Sequence, residues 1–229
     1  YDSNGFAAAA SGVSASSSLF ISVSAADQIL PSVLSPSIRK HYKFLTSFSE
    51  WIGAELSFGE KGVELYGKAF SARQTDFENV LISQKPASCN VFSIAPANTL
   101  RALSLPMDSY SGYVAAYDEW LDKRMKLQEV QKNRKALASA HGVSPADWVS
   151  GLRPSEIAVV SFICGDKIES VNLLHSSKLK NDSDIQSFTF RGYMAALFGD
   201  VFSREDESCS FSSGGWLITG SREAVGEWA

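Results

Sequence analysis

Beyond residue 17 the chain alternates between two hydrophobic periods. Leu19, Phe20 and Ile21, followed by Val23, form a short apolar run of the kind that makes a strand. Ser24 and Asp27 stand three apart in the form of a capping box, which predicts that a helix opens there. Pro31 interrupts that helix. Ser35-Pro36 restarts it, with Ser as N-cap and Pro at the first helical position, where its missing N–H is not needed. Ile38, Tyr42, Leu45, Phe48, Trp51 and Ile52 then recur at helical spacing, so one face is expected to be buried and Gly53 to stop the helix. Residues 54–58 and 63–68 read as the strands of a hairpin turned by Gly59, Glu60, Lys61 and Gly62. The order is strand, helix, strand, strand.

The same order returns further along. Residues 100–105 read as a strand that Pro106 ends, and Asp108 is placed to cap a long helix running to about residue 140, closed by His141-Gly142. Ser144, Pro145 and Asp147 predict the start of a short helix carrying Trp148 and Val149. Residues 156–164 and 167–175 flank Gly165-Asp166 as a second hairpin. A partial third copy follows: strand at 187–191, helix at 192–198, and a hairpin of 208–211 and 216–219 around Ser213-Gly214-Gly215. Ser221 is placed to cap a last helix. The predicted fold is α+β: an antiparallel sheet built from repeated strand–helix–strand–strand units, with the long helices packed on one face. Residues 1–17, rich in Ala, Ser and Gly and without period, are expected to be a flexible N-terminal tether. Residues 18–95 form the first unit; 96–229 form the second with the partial third, continuous with the first.

Composition narrows the classes. The chain of 229 residues is 45% hydrophobic and 20% charged, with 14 Phe, 7 Tyr and 5 Trp, enough apolar area to exclude disorder for most of it. Three Cys exclude a disulfide-stapled mini-fold. The longest strongly apolar stretch, 157–164, is far short of the roughly 18 residues a membrane span needs. A net charge of -4 argues against nucleic acid as a partner. The 37 Ser fit an exported or surface-facing protein, and fit lineage bias equally well. Only three His leave few general bases or metal ligands near neutral pH.

The order of short motifs carries a resemblance. Trp51-Ile-Gly-Ala-Glu-Leu-Ser-Phe58 precedes Val63-Glu-Leu-Tyr-Gly67 across a tight turn. Ala95-Pro-Ala-Asn-Thr99 leads into a strand and a Tyr-rich helix. Pro154-Ser-Glu-Ile-Ala-Val-Val160 and Gly215-Trp-Leu-Ile-Thr-Gly-Ser221 follow. From Leu19 to the end this resembles an uncharacterised family of bacterial cell-envelope proteins, a domain of unknown function whose members are large exported or membrane-anchored proteins. The resemblance implies location and architecture, not activity, and a longer natural chain; it carries over no catalytic residues. Localisation is then expected to be periplasm or cell surface, with membrane anchoring through a segment outside this chain.

No nucleotide-binding glycine loop, zincin motif, C-x-x-C pair or nucleophile elbow occurs in the sequence. Cys164, in an apolar run, reads as a buried small hydrophobe, and nothing in the spacing pairs Cys89 with Cys209. His41, His141 and His175 share no ligand spacing, and His141 suits a helix C-terminus. Tyr110, Tyr113, Tyr117 and Trp120 form an aromatic stripe at helical spacing; they are the candidate ligand contacts, as a stacking platform, with core packing the favoured alternative. Lys123, Arg124, Lys126, Lys132, Arg134 and Lys135 could face an anionic surface or simply solvent. Arg204 to Glu207 read as an exposed acidic loop. The expected function is a non-enzymatic cell-envelope binding or scaffolding module, with an envelope protein or polymer as partner and no cofactor, metal or catalytic residue. The alternative is a hydrolase-like enzyme whose site is assembled without a local motif.

Overall fold

A computed structural model describes residues 3–11, 13, 17–33, 47–59, 62–203 and 206–229. The chain is α+β and divides into two compact units, Tyr1–Ile82 and Ser83–Ala229. The sequence pattern placed that boundary later, at 95/96.

In the first unit, β1 (Ser18–Ser22), β2 (Trp51–Gly59) and β3 (Gly62–Phe70) form an antiparallel sheet in that order. Helices α1 (Ser3–Ala10), α2 (Val23–Val33) and α3 (Glu78–Ile82) accompany it. Two expectations are corrected. The expected tether contains α1, built on a run of Ala with high helix propensity. Phe6 lies 5.3 Å from the Phe20 ring and 5.4 Å from Trp51, and Ala9 is fully buried. Trp51 and Ile52 open β2 rather than close a helix, because pairing with Phe70 and Ala69 outweighs a local helical spacing that aromatic and β-branched residues satisfy poorly. Gly53 is therefore no helix stop. A Cβ there would lie 2.6 Å from the Ala9 carbonyl oxygen, so the glycine lets α1 cross β2 closely. The expected cap at Ser35-Pro36 and the positions Ile38, Tyr42 and Leu45 lie outside the described residues.

The second unit holds a six-stranded antiparallel sheet in the order β4-β5-β6-β9-β8-β7. Its strands are β4 (Thr99–Pro106), β5 (Glu156–Cys164), β6 (Lys167–His175), β7 (Asp182–Ser187), β8 (Cys209–Ser213) and β9 (Trp216–Gly220). Between β4 and β5 run α4 (Tyr110–Lys123), α5 (Leu127–His141) and α6 (Pro145–Leu152); α7 (Tyr193–Phe198) precedes β8, and α8 (Arg222–Trp228) ends the chain. One sheet face buries Ala158, Val160, Phe162, Val171, Leu173, Phe211 and Ile218 under Ala224 and Val225 of α8 and Val91 of a 3-10 turn. By strand alternation the other face carries Ile157, Val159, Asn172, Leu174 and Thr219.

Caps are where local chemistry shows most directly. Ser144 Oγ accepts from Asp147 N ahead of α6, and Ser221 Oγ accepts from Ala224 N ahead of α8, both as expected. Ahead of α4 the cap is Ser109, not Asp108, whose Oδ1 accepts from Lys85 N instead. The long helix is in fact two, broken at Met125, which has φ 59 and is 94% exposed. Left-handed backbone is costly for a side chain and easy for glycine. Met125→Gly is therefore expected to stabilise this unit by about 0.5–1 kcal/mol, read as a higher denaturation midpoint. The strand expected at 187–191 lies earlier, at Asp182–Ser187. It is a polar, exposed sheet edge, which needs no apolar alternation and so escapes a hydropathy reading.

Candidate functional site

The aromatic stripe of α4 is packed into the protein. Tyr113 is fully buried, Tyr117 and Trp120 are nearly so, and Tyr110 is half-buried. Tyr113 stacks on Tyr117 at 6.0 Å and Tyr117 on Trp120 at 5.5 Å, while Tyr113 OH donates to the Phe198 carbonyl at 3.1 Å. Burial pushes the Tyr117 hydroxyl up to about 12 and raises that of Tyr113 well above its ordinary value. Tyr113, Tyr117 and Trp120 are buried and stack on one another, so that part of the expected platform is not presented at the surface.

Half of the basic positions also serve the fold. Lys123 Nζ pairs with Glu119 at 2.8 Å, and Arg124 lies 5.1 Å over the Trp120 ring. Arg134 clamps Asp118 with both terminal nitrogens at 2.8 Å and donates from Nε to the Ala196 carbonyl, tying α5 to α4 and α7. Lys126, Lys132 and Lys135 stay exposed.

Two buried carboxylates of the second unit are features that sequence reading missed. Glu156, fully buried, accepts from Asn90 N at 2.7 Å, Asn90 Nδ2 at 3.1 Å, Val91 N at 3.1 Å, Ser104 Oγ at 2.6 Å and Cys89 Sγ at 3.5 Å. It holds the 3-10 turn at Val91 against the sheet. The available signal was an acid opening an otherwise apolar strand. Glu207 corrects the reading of its segment as an exposed loop: it is 2% exposed. Oε1 accepts from Asn172 Nδ2 at 2.8 Å and Thr219 Oγ1 at 3.3 Å, and Oε2 accepts from Gly192 N at 2.7 Å. Nothing in its acidic neighbourhood could have separated it from Asp206. Burial raises the Glu207 carboxyl above its ordinary value of 4.5, while the bonds from Gly192, Asn172 and Thr219 and the charge of Arg191 pull it back. A carboxyl raised on folding binds its proton more tightly in the folded state. Its stabilising contribution is present at low pH and is lost as pH rises through the folded value. Glu207→Gln removes that dependence, so the stability difference, variant minus wild type, should move in the variant's favour as pH rises from about 4.5 to neutrality. Denaturation midpoints measured across that range check it.

One hydroxyl–imidazole pair is assembled. Ser155 Oγ lies 2.8 Å from His175 Nδ1, at the end of the sheet where the His175 ring packs 4.8 Å from Trp216. His175 is the register partner of Glu156, yet the carboxylate oxygens of Glu156 are taken by the donors named above, and among the described residues no acid hydrogen-bonds the imidazole. A base oriented by a third group is what activates a serine, and that third group is missing from the pair. His141 lies in the last turn of α5, 5.5 Å from the Tyr193 ring. His41 lies outside the described residues. Cys89, Cys164 and Cys209 are free thiols; Cys164 is half-buried rather than buried. Among the described residues no cluster of His, Cys, Asp and Glu is arranged to hold a metal ion, and no helix is long and apolar enough to cross a membrane.

The β2–β3 hairpin of the first unit carries exposed apolar side chains. Phe58, Leu65 and Tyr66 are 72%, 57% and 79% exposed. On the register, Ile52, Ala54, Leu56 and Phe58 share one sheet face with Leu65 and Ala69; Glu55 and Ser57 share the other with Glu64, Tyr66 and Lys68. Leu56 N donates to Ser17 O, so the even-numbered residues of β2 bond to β1 and the odd-numbered ones to β3. The register then turns the main-chain groups of Leu65, Gly67 and Ala69 away from β2. Among the described residues no strand lies on that side.

Fold and surface together define a two-unit α+β protein in which, among the described residues, one edge of the first sheet has no neighbouring strand. Comparison with protein-family models, with curated proteins and with solved structures finds no match to this chain.

Proposed function

We propose that the chain is a non-enzymatic interaction module of the cell envelope, working outside the cytoplasm, with the β2–β3 hairpin as its contact surface. The observation that carries the contact surface is the exposure of Phe58, Leu65 and Tyr66 beside an open main-chain edge. Exposed apolar side chains next to unpaired N–H and C=O groups form a template for another chain, and folded proteins normally cover or charge such edges. The envelope location is supported by the resemblance of the motif order from Trp51 to Ser221.

Two measurements test this reading. A photo-reactive residue at position 66 of the full-length protein in cells should give a discrete cross-linked species, and the same residue at exposed Lys132 should not. Equal yields at the two positions would overturn the hairpin as contact surface. Fractionation should recover the full-length protein with the envelope; recovery in the cytosol would overturn the location.

A second reading, the hydrolase-like enzyme, has the Ser155–His175 pair in its favour. It requires Ser155 to react with a fluorophosphonate probe and Ser155→Ala to abolish the labelling. The missing acid leads us to expect no labelling.

A further inference from the structure

We infer that β3 pairs with β3 of a second copy, antiparallel and centred on Tyr66, joining the two three-stranded sheets into one. The inference rests on the reading of the hairpin as the contact surface and names its partner.

The argument is one of register. A two-fold axis perpendicular to a sheet keeps each face on its own side, so a self-paired antiparallel strand must be centred on a residue. β3 runs from Gly62 to Phe70, and its midpoint is Tyr66. Only pairing about that midpoint matches the strand over its whole length. The same register sets Glu64 opposite Lys68 of the second copy, twice by symmetry, with the two Tyr66 side chains between them. Shifting the centre by one residue either way puts Glu64 opposite Tyr66 or Phe70, leaves Lys68 opposite Gly62 or Tyr66, and shortens the ladder. Neither Glu64 nor Lys68 has an ion-pair partner among the described residues. Full-length pairing and charge complementarity thus select one register independently.

The hydrogen-bonding geometry agrees. Leu65, Gly67 and Ala69 point their main-chain groups outward, so Leu65 and Gly67 of opposite copies exchange hydrogen bonds. Tyr66 faces Tyr66, and Glu64 faces Lys68, at the closer positions where no ladder bonds intervene and side chains interact most strongly. Leu65 and Ala69 then extend one apolar face across the joint.

Light scattering on the full chain should give the mass of a dimer. Glu64→Lys and Lys68→Glu should each weaken self-association about tenfold or more, since each turns two attractive pairs into two repulsive ones. The double exchange, Glu64→Lys with Lys68→Glu, should restore it, a rescue that simple misfolding would not give. Tyr66→Cys, in a chain whose exposed Cys89 is replaced by Ser, should form an interchain disulfide on mild oxidation, because the axis brings this position against itself. A monomer at all concentrations, or a dimer indifferent to both charge reversals, would overturn the inference. If the cross-link at position 66 joins a different protein, self-pairing is wrong while the contact-surface reading stands; if it joins a second copy, both stand.

Discussion

Replacing Glu156 by Ala is expected to destabilise the Ser83–Ala229 unit by roughly 3–5 kcal/mol, among the largest effects of any single polar substitution here. The carboxylate collects Asn90 N, Val91 N, Asn90 Nδ2 and Ser104 Oγ within 3.1 Å while itself fully buried. Hydrogen bonds to an ionised acceptor are worth about twice neutral ones, and the donors left behind would remain without partners in a dry site. Glu156→Gln should fall between, because an amide keeps the shape but turns one acceptor into a donor facing N–H groups. Chemical denaturation of both variants measures the effect. A midpoint for Glu156→Ala equal to wild type would show that the 3-10 turn is held by something else.

Trp120→Ala is expected to cost a similar 3–5 kcal/mol. The indole is 9% exposed, stacked on Tyr117, and has the Arg124 guanidinium over its ring. Truncation leaves a cavity that the surrounding helices close only in part. Trp120→Phe should recover most of the loss, since volume and stacking are largely kept. If Trp120→Ala instead leaves stability unchanged and abolishes binding to an envelope polymer, the stripe is the contact surface after all and the hairpin is not.

Much of the second unit was legible because its rules are local. Ser144 with Pro145, Ser221, Gly142 at φ 75 and the hairpin at Gly165 follow from hydrogen bonds and backbone torsions reaching only three or four residues along the chain. The first unit was less legible for the same reason. Trp51 and Ile52 satisfied a helical period and still became strand, since their partners Phe70 and Ala69 lie across a turn that periodicity does not see. Gly53 carried the signal of a helix stop and serves instead a close crossing by Ala9.

The chain by itself determined the α+β class, the caps of the later helices, the hairpins and the burial of the α4 stripe, because period and capping chemistry are written in neighbouring residues. Tertiary structure alone decided which acids are buried. Glu156 and Glu207 are held by donors from Ser104, from residues 89–91, and from Asn172, Gly192 and Thr219, groups that come near only once the sheet is assembled. It alone set Ser155 beside His175, with no acid bonded to the imidazole among the described residues. Among the described residues it also left one long edge of β3 without a neighbouring strand, for an edge is a property of strand order and not of any strand's sequence.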